Sequence, residues 1–139
     1  MPAIASLPLS DLRVLDLTTV IFGPYTTQML GDFGADVIKV EPPSGDLTRH
    51  LGPARNPGMS SLFLGCNRNK RSLVLDLKRA PAKTALWRLI EGADLIVHNI
   101  RPQKMAALGF DPAQVTVSGQ FALTVIYAWL PIVFKLIAV

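Results

Sequence analysis

The sequence predicts an α/β domain with a Rossmann-like parallel sheet and flanking helices. Short runs rich in valine, isoleucine and leucine alternate with longer segments that have one-sided apolar spacing. Glycine or proline stands at most boundaries between the two kinds of segment. This alternation is typical of βαβ units, in which parallel strands are covered by helices and the crossovers are right-handed.

The first strand and helix occupy the start of the predicted domain. Residues 13–17 form a short apolar run, as expected of a buried strand. Pro24 stands at a favourable first position for the helix that follows, and Gly34 ends it. The helix places three large apolar side chains on one face, the pattern of an amphipathic helix: Tyr25, Met29 and Phe33.

Three further strands follow, at residues 37–41, 72–77 and 95–99. Two prolines stop the first of them, and residues 44–61 are predicted to be a long surface loop because they are rich in glycine, proline and arginine. A helix from Pro81 to Gly92 precedes the last strand. A shorter one, which starts at Pro102 and ends at Gly109, follows it.

Charge and cysteine content narrow the function classes. The net charge is +4, and 9 of the 14 lysines and arginines lie between Arg68 and Lys104. Such a cluster suits a phosphorylated small molecule, a membrane surface or nucleic acid, or it is simply a solvated face. Nucleic acid is disfavoured because few aromatic residues lie among the basic ones. A single cysteine, Cys66, and no visible signal peptide favour the cytoplasm.

Ligands of open α/β sheets bind beyond the carboxyl ends of the strands. The segments at those ends are residues 18–23, 42–44 and 99–101. The first lacks the G-x-G-x-x-G pattern, which disfavours a dinucleotide such as NAD. Four basic residues near the strand ends could neutralise a phosphate-rich ligand, or could be rim charges: Lys70, Arg71, Lys78 and Arg101.

Several blocks in fixed order resemble the N-terminal part of class III CoA-transferases, a family that includes carnitine CoA-transferases, formyl-CoA transferases and α-methylacyl-CoA racemases. The blocks are Val14-Leu-Asp-Leu-Thr, Gly23-Pro, Gly34-Ala-Asp-Val-Ile-Lys-Val-Glu-Pro, Asn69-Lys-Arg-Ser, Leu75-Asp-Leu-Lys, Ala93-Asp-Leu-Ile-Val-x-Asn-x-Arg-Pro and Leu108-Gly-Phe. The resemblance runs from Leu12 to about Pro112.

The resemblance implies a site for coenzyme A or an acyl-CoA, which would be bound as a substrate. The positions that match the family's coenzyme-contacting segments are Val20, Ile21, Lys70, Arg71, Leu75, Lys78, Asn99, Ile100 and Arg101. Two positions depart from the family pattern: His98 stands where glutamate is usual, and Pro42 where some members carry a phosphate-binding arginine. No metal is expected, because His50, His98 and Cys66 lack metal-ligand spacing.

The resemblance also implies an activity that this chain would not perform alone. The family moves CoA from an acyl-CoA to a carboxylic acid through a nucleophilic aspartate. That residue is expected downstream of the matched blocks, so no catalytic residue is assigned here. The alternatives are a fragment of an α-methylacyl-CoA racemase or acyl-CoA isomerase, and a non-catalytic CoA-binding remnant. The family's interlocked homodimer is not expected of a fragment.

Residues 1–115 are thus predicted to be the CoA-binding segment, and residues 116–139 an apolar tail outside the family pattern. The tail carries one charge after Phe121, Lys135, and a proline in its middle. Three interpretations stay open: a shifted reading frame or truncated gene, a membrane anchor formed by residues 121–139, and an ordinary core segment with a strand at 122–127.

Overall fold

The computed structural model describes residues 6–111, 115 and 121–124, the last four by their backbone. The described elements, in chain order, are β1 (Arg13–Leu17), α1 (Phe22–Asp32), β2 (Asp36–Glu41), a 3₁₀ helix (Leu47–His50), α2 (Ser61–Asn67), β3 (Lys70–Val74), α3 (Ala80–Glu91), β4 (Leu95–His98), α4 (Pro102–Leu108) and β5 (Phe121–Thr124).

The described strands form one sheet in the order β3-β2-β1-β4-β5, and every neighbouring pair is parallel. The chain builds outward from β1 through β2 to β3, and then crosses back to place β4 on the other side of β1. The direction of winding therefore reverses between β1 and β4. The predicted fold class, a Rossmann-like parallel sheet with flanking helices, is confirmed.

The strands were predicted well where they are buried. β1, β2 and β4 match their predicted ranges to within one residue at either end. The third strand was predicted at 72–77 but lies at Lys70–Val74, so its start was placed two residues and its end three residues too late. Of the predicted tail, only residues 121–124 are described, and their backbone forms β5; the rest of residues 116–139 lies outside the described residues.

The described part of the chain contains three predicted α-helices, with small differences at the starts of two of them, and one α-helix that was not predicted. α1 begins at Phe22, two residues before the proline predicted to start it, and α3 begins one residue before Pro81. α4 begins at Pro102 and is ended by Gly109 at a φ of 91°, as predicted. The predicted surface loop contains the 3₁₀ helix and leads into α2, which is capped by the side chain of Ser60 and was not predicted.

One face of the sheet carries the main apolar core. Alternate residues of β1, β2 and β4 meet side chains of α3, α4 and the segment that follows α4. The buried members of this cluster are Leu15, Leu17, Ile38, Val40, Leu86, Ile90, Ala93, Ile96, Met105, Phe110 and Val115. Trp87 packs against the ring of Phe110, with the ring centroids 5.4 Å apart. Burial of this area supplies most of the driving force for folding.

The opposite face, which α1 covers, is apolar at the amino ends of β1 and β2 and along β4, and carries charged residues toward the carboxyl ends of β1 and β2. A small cluster there joins Val14, Ala35, Val37 and Val97. α1 buries small or polar residues toward the sheet, including Thr27, Gln28 and Gly31. The apolar residues predicted to share one face of α1 (Tyr25, Met29 and Phe33) are 45–52% exposed, so that face is not the buried one.

Candidate functional site

The carboxyl ends of β1 and β4 meet where the direction of winding reverses, the usual ligand position in an open α/β sheet. The turn after β1 (residues 18–21, the β1–α1 turn) lies beside Asn99, the first residue after β4. The Asn99 amide bridges the two: Nδ2 donates to the Thr19 carbonyl at 2.9 Å, and Oδ1 accepts from the Thr19 N–H at 3.1 Å. Asn99 therefore joins the ends of two neighbouring strands.

The β1–α1 turn has an unusual backbone. Val20 has a φ of +76°, a left-handed conformation that a β-branched residue rarely adopts. Its N–H lies 3.4 Å from Asp46 Oδ1. The side chains of Val20 and Ile21 are 43% and 38% exposed. Strained residues of this kind concentrate at binding and catalytic sites, where the surrounding structure holds them in place.

A glycine lets α1 approach this turn closely. A Cβ at Gly23 would lie 2.5 Å from the Cβ of Thr18, too close for any side chain. Thr18 itself is buried, and its N–H donates to Asp16 Oδ1 at 2.9 Å. The first turn of α1 therefore rests directly on the strand end.

Beneath the turn, Asp16 and Lys70 form a buried ion pair of 2.9 Å, with side chains that are 0% and 2% exposed. Lys70 Nζ also donates to the Pro24 carbonyl at 2.7 Å and to Asn67 Oδ1 at 2.8 Å. Thr27 Oγ1 donates to Asp16 Oδ2 at 2.7 Å. Burial lowers the pKa of Lys70, while the charge of Asp16 opposes that shift.

A second buried pair joins β2 to the loop after it. Lys39 Nζ lies 3.0 Å from Asp46 Oδ2 and donates to the Thr18 carbonyl at 2.9 Å. Asp46 is the N-cap of the 3₁₀ helix: its Oδ1 accepts from both the N–H and the hydroxyl of Thr48. Burial raises the pKa of Asp46, but the Thr48 N–H and Lys39 outweigh this effect, and the net shift is downward.

The third pair joins Glu41, the last residue of β2, to Arg49 of the 3₁₀ helix. Arg49 Nε donates to Glu41 Oε1 at 2.8 Å and Nη2 to Oε2 at 2.6 Å. The guanidinium lies 3.8 Å from the ring centroid of Phe63, a cation–π contact. Burial raises the pKa of Glu41, but hydrogen bonds from Arg49, the Asp46 N–H and Ser72 bring the pKa down to about 2.

Five of the predicted site residues follow the carboxyl ends of strands on or near this edge. Val20 and Ile21 form the turn after β1, and Asn99 holds that turn. Arg101 is exposed as the residue before α4, and Lys78 is exposed in the segment after β3. Neither cation forms an ion pair within the described residues.

The other four predicted site residues lie elsewhere or are partly covered. Lys70 points inward and uses all three of its N–H donors on protein oxygens. Arg71 lies at the amino end of the sheet, where it pairs with Asp36 at 2.6 Å. Leu75 and Ile100 follow strand ends but pack partly against the main apolar core.

Sequence reasoning missed the polar residues that support the edge. Asp46 lies in the segment predicted to be a surface loop, yet it is 1% exposed and contacts both Lys39 and the β1–α1 turn. The available signal was the residue type alone, since aspartate is one of the favoured N-cap residues of a helix. Gln28 was also missed. It is fully buried, and neither of its amide atoms has a hydrogen-bond partner among the described residues.

His98 ends β4 and is 2% exposed. It borders a small apolar cavity between the sheet, α3 and α4, with Leu17, Met105 and Phe110 among the lining residues. Burial lowers the pKa of His98, against the hydrogen bond between Nδ1 and the Ile100 carbonyl at 3.2 Å. The ring therefore favours its neutral form.

Membrane-spanning helices and metal-binding clusters are both absent from the part of the chain that the structure describes. None of the helices described there is long and apolar enough to cross a membrane. Within the same residues, no group of three or more histidine, cysteine or acidic side chains is placed to hold a metal ion.

The fold and the edge together define a parallel α/β domain with a candidate ligand site at the winding reversal. The family model for CoA-transferase family III matches residues 9–118. The chain therefore belongs to CoA-transferase family III, which confirms the resemblance noted in the sequence.

Known relatives and solved structures agree with that assignment. The chain is 48% identical over 101 residues to a succinyl-CoA:mesaconate CoA-transferase of Haloarcula hispanica, and covers 26% of that protein with 70% of its own length. It is 47% identical over 108 residues to a formyl-CoA:oxalate CoA-transferase of Escherichia coli, and covers 26% of that protein with 76% of its own length. The crystal structure of a CAIB/BAIF family protein from Brucella suis superimposes with a TM-score of 0.81 at 32% identity, over 86% of this chain and 33% of that one.

The chain spans about a quarter of the length of these curated relatives. The match is thus to their N-terminal part, which is the part that the sequence analysis predicted.

Proposed function

We propose that this chain is the CoA-binding N-terminal part of an acyl-CoA:carboxylate CoA-transferase. The observation that carries the proposal is the family match over residues 9–118, which contains the whole edge at the winding reversal. Two relatives of that family, at 47–48% identity, are CoA-transferases by name. The transferase activity is therefore favoured over the racemase or isomerase alternative. A CoA-binding remnant without turnover is the remaining alternative to the transferase.

Coenzyme A would lie across the carboxyl edge of the sheet. It is a long molecule with a 3′-phosphate and a pyrophosphate, so it needs separated cations rather than one cluster. Lys78 and Arg101 follow β3 and β4, which are three strand spacings apart, or about 14 Å. Val20 and Ile21 lie between them and would offer apolar contact to the coenzyme. Leu75 and Ile100 would border it through their exposed parts, while Asn99 holds the turn.

Lys70 and Arg71 belong to the proposed site with different roles. Lys70 supports the β1–α1 turn from below, since its ammonium is already bound to Asp16, Pro24 and Asn67. Arg71, paired with Asp36 at the far edge, would reach the coenzyme only if that ion pair opened.

No catalytic residue is assigned within the chain. The buried carboxylates are already engaged: Asp16 with Lys70, Glu41 with Arg49 and Asp46 with Lys39. A carboxylate nucleophile must reach an acyl-CoA, and none of these three is exposed to one. The resemblance implies that the nucleophilic aspartate lies downstream of the matched blocks. The chain would then supply the coenzyme site, and would act on acyl-CoA and carboxylic acid substrates only together with a nucleophile from elsewhere. Two statements stay predictions: that the chain lies in the cytoplasm, and that a fragment does not form the family's interlocked homodimer.

The test is isothermal calorimetry with CoA on the full chain and on two charge variants. Arg101→Ala should weaken CoA binding roughly ten- to a hundredfold, because it removes a charge-assisted hydrogen bond to a phosphate. Arg88→Ala is the matched control: Arg88 is an exposed arginine in the last turn of α3, which leads to the amino end of β4. Its loss should leave the affinity unchanged.

Titration with dephospho-CoA, which lacks the 3′-phosphate, identifies which of the two cations contacts that phosphate. Wild-type protein should bind it more weakly than CoA. The cation that contacts the 3′-phosphate, Lys78 or Arg101, should lose this preference when it is replaced by alanine. Failure of the folded wild-type chain to bind CoA would contradict the proposed function. Equal losses in Arg101→Ala and Arg88→Ala would mean that general charge attraction, and not a site, binds the coenzyme. Binding without CoA transfer is expected of the chain alone, because it lacks a nucleophile. CoA transfer after addition of the nucleophile-bearing remainder of a relative would support the transferase part, and its absence would favour the remnant.

A further inference from the structure

We infer that Asn99 is a positioning residue, which acts on the coenzyme by holding the β1–α1 turn in its strained conformation rather than by touching the ligand. The inference rests on the proposed function and assigns a cause to the affinity of the site. It comes from two independent features of the edge: the left-handed Val20 and the double hydrogen bond of Asn99 to Thr19.

The Asn99 amide is committed to the turn. Its oxygen accepts from the Thr19 N–H and its nitrogen donates to the Thr19 carbonyl, so both polar atoms already have backbone partners. The two residues are 80 positions apart in the chain. The pair of bonds therefore fixes the main chain of Thr19, next to Val20, to the end of the neighbouring strand.

The turn needs such a restraint. A left-handed conformation at a residue with a Cβ is disfavoured by roughly 5- to 30-fold relative to the ordinary regions. Among the described residues, the Val20 N–H itself makes one long contact of 3.4 Å, with Asp46. On the far side of Val20, the Ile21 carbonyl accepts from the Tyr25 N–H of α1 at 2.8 Å. On the near side, Thr18 is anchored to Asp16. Without Asn99, Val20 should return to a negative φ and take the exposed side chains of Val20 and Ile21 out of place.

A four-member variant cycle separates positioning from contact. The members are the wild-type chain, Asn99→Ala, Val20→Gly and the double variant, and each is titrated with CoA. We call the two hydrogen bonds between Asn99 and Thr19 the clamp. Glycine occupies positive and negative φ about equally, so in the Val20→Gly background the clamp can raise the population of the positive-φ turn by only about twofold.

Asn99→Ala should therefore weaken CoA binding roughly tenfold in the wild-type background and no more than about threefold in the Val20→Gly background. A residue that contacts the ligand directly would show the same loss in both backgrounds. Equal losses would overturn the inference.

Amide hydrogen exchange on the ligand-free full chain tests the clamp independently of CoA. The Thr19 residue is exposed, but its N–H is bonded to Asn99, so Asn99→Ala should speed its exchange at least tenfold. The Thr18 N–H, bonded to Asp16, is the internal control and should be unaffected. Unchanged exchange at Thr19 would also overturn the inference. If wild-type protein bound no CoA, the proposed function and the ligand part of the inference would both fall, and Thr19 exchange would still decide whether the clamp exists.

Discussion

Replacing Glu41 by glutamine should remove about 3 kcal/mol of stability at neutral pH. Glu41 is 2% exposed, and its carboxylate accepts four hydrogen bonds: two from Arg49, one from the Asp46 N–H and one from Ser72. These bonds lower the pKa from an ordinary value of 4.5 to about 2. A shift of that size corresponds to about 3 kcal/mol of preference for the charged carboxylate in the folded state, at about 1.4 kcal/mol per pKa unit.

The sign of the pH dependence follows from the direction of the shift. Because folding lowers the pKa of Glu41, its contribution is fully present above pH 4.5 and is lost as the pH falls toward 2. Glutamine has no such dependence. The difference in unfolding free energy between wild type and Glu41→Gln should therefore be about 3 kcal/mol at pH 7 and should shrink steadily below pH 4.5.

Urea denaturation at several pH values between 7 and 2.5 measures this difference. Asp11→Asn is the matched control, since Asp11 is an exposed carboxylate before β1 and its removal should change stability by less than about 0.5 kcal/mol at any pH. A difference of similar size at pH 7 and pH 2.5 would refute the reasoning, because it would mean that packing and not charge explains the loss.

Three other substitutions test separate parts of the structure. Gly23→Ala should destabilise by about 1–3 kcal/mol, because its Cβ would lie 2.5 Å from a side-chain carbon of Thr18, whereas Gly65→Ala, whose Cβ meets no atom within 4 Å, should not; thermal melts of both variants would show the contrast. Lys70→Met should lower the unfolding free energy by about 3–5 kcal/mol, because it leaves a buried carboxylate without its cation. A urea midpoint equal to that of wild type would argue against a buried pair. Burial lowers the pKa of His98 below 6.5, so wild type should lose stability as the pH falls below 6.5, and His98→Gln should lose less; midpoints at pH 7 and pH 5 that shift equally in both proteins would contradict this.

The strands show what a single sequence can reveal. β1, β2 and β4 lie inside the sheet, and such strands are continuous apolar runs that are easily recognised. β3 lies at an end of the described strand order and begins with Lys70, Arg71 and Ser72. Its alternating leucines continue past the strand to Leu77 and still pack partly against the core. The pattern therefore indicated contact with the core correctly, but placed the start of the strand two residues and its end three residues too late.

α1 buries its small and polar face and exposes its large apolar side chains, and the sequence of the helix alone does not contain the physical reason. The part of the sheet beneath it carries charged side chains, among them Asp16 and Lys39. A helix that packs on such a layer needs close approach and hydroxyl groups, which Gly23 and Thr27 supply, and not large apolar side chains. The apolar spacing of the helix alone therefore predicted the wrong face.

The candidate site was only partly predictable for a similar reason. The segments after each strand could be located, because the direction of parallel strands fixes which ends share an edge. The partners of each charge could not. Lys70 and Asp16 are 54 residues apart, and a lysine in an alternating strand is indistinguishable in sequence from a surface charge. Asn99 was selected through the resemblance and as a ligand contact, and that role stays a prediction; its link to Thr19 was not predicted.

The buried ion pairs Asp16–Lys70 and Lys39–Asp46 support from below the turn that Asn99 holds. Buried ion pairs are rarely the most stable filling for a core, and an apolar layer of the same volume is often as good or better. A charged layer differs because each hydrogen bond or ion pair forms only at a defined distance and direction, which restricts where the partner atoms can lie. Lys39 holds the Thr18 carbonyl and Asp46 at once, and Asp46 in turn reaches the Val20 N–H. Two loops that are far apart in sequence are thereby fixed against each other directly below the proposed coenzyme site. An apolar layer would give the same burial without specifying those positions, so the pairs serve the geometry of the edge more than the stability of the domain.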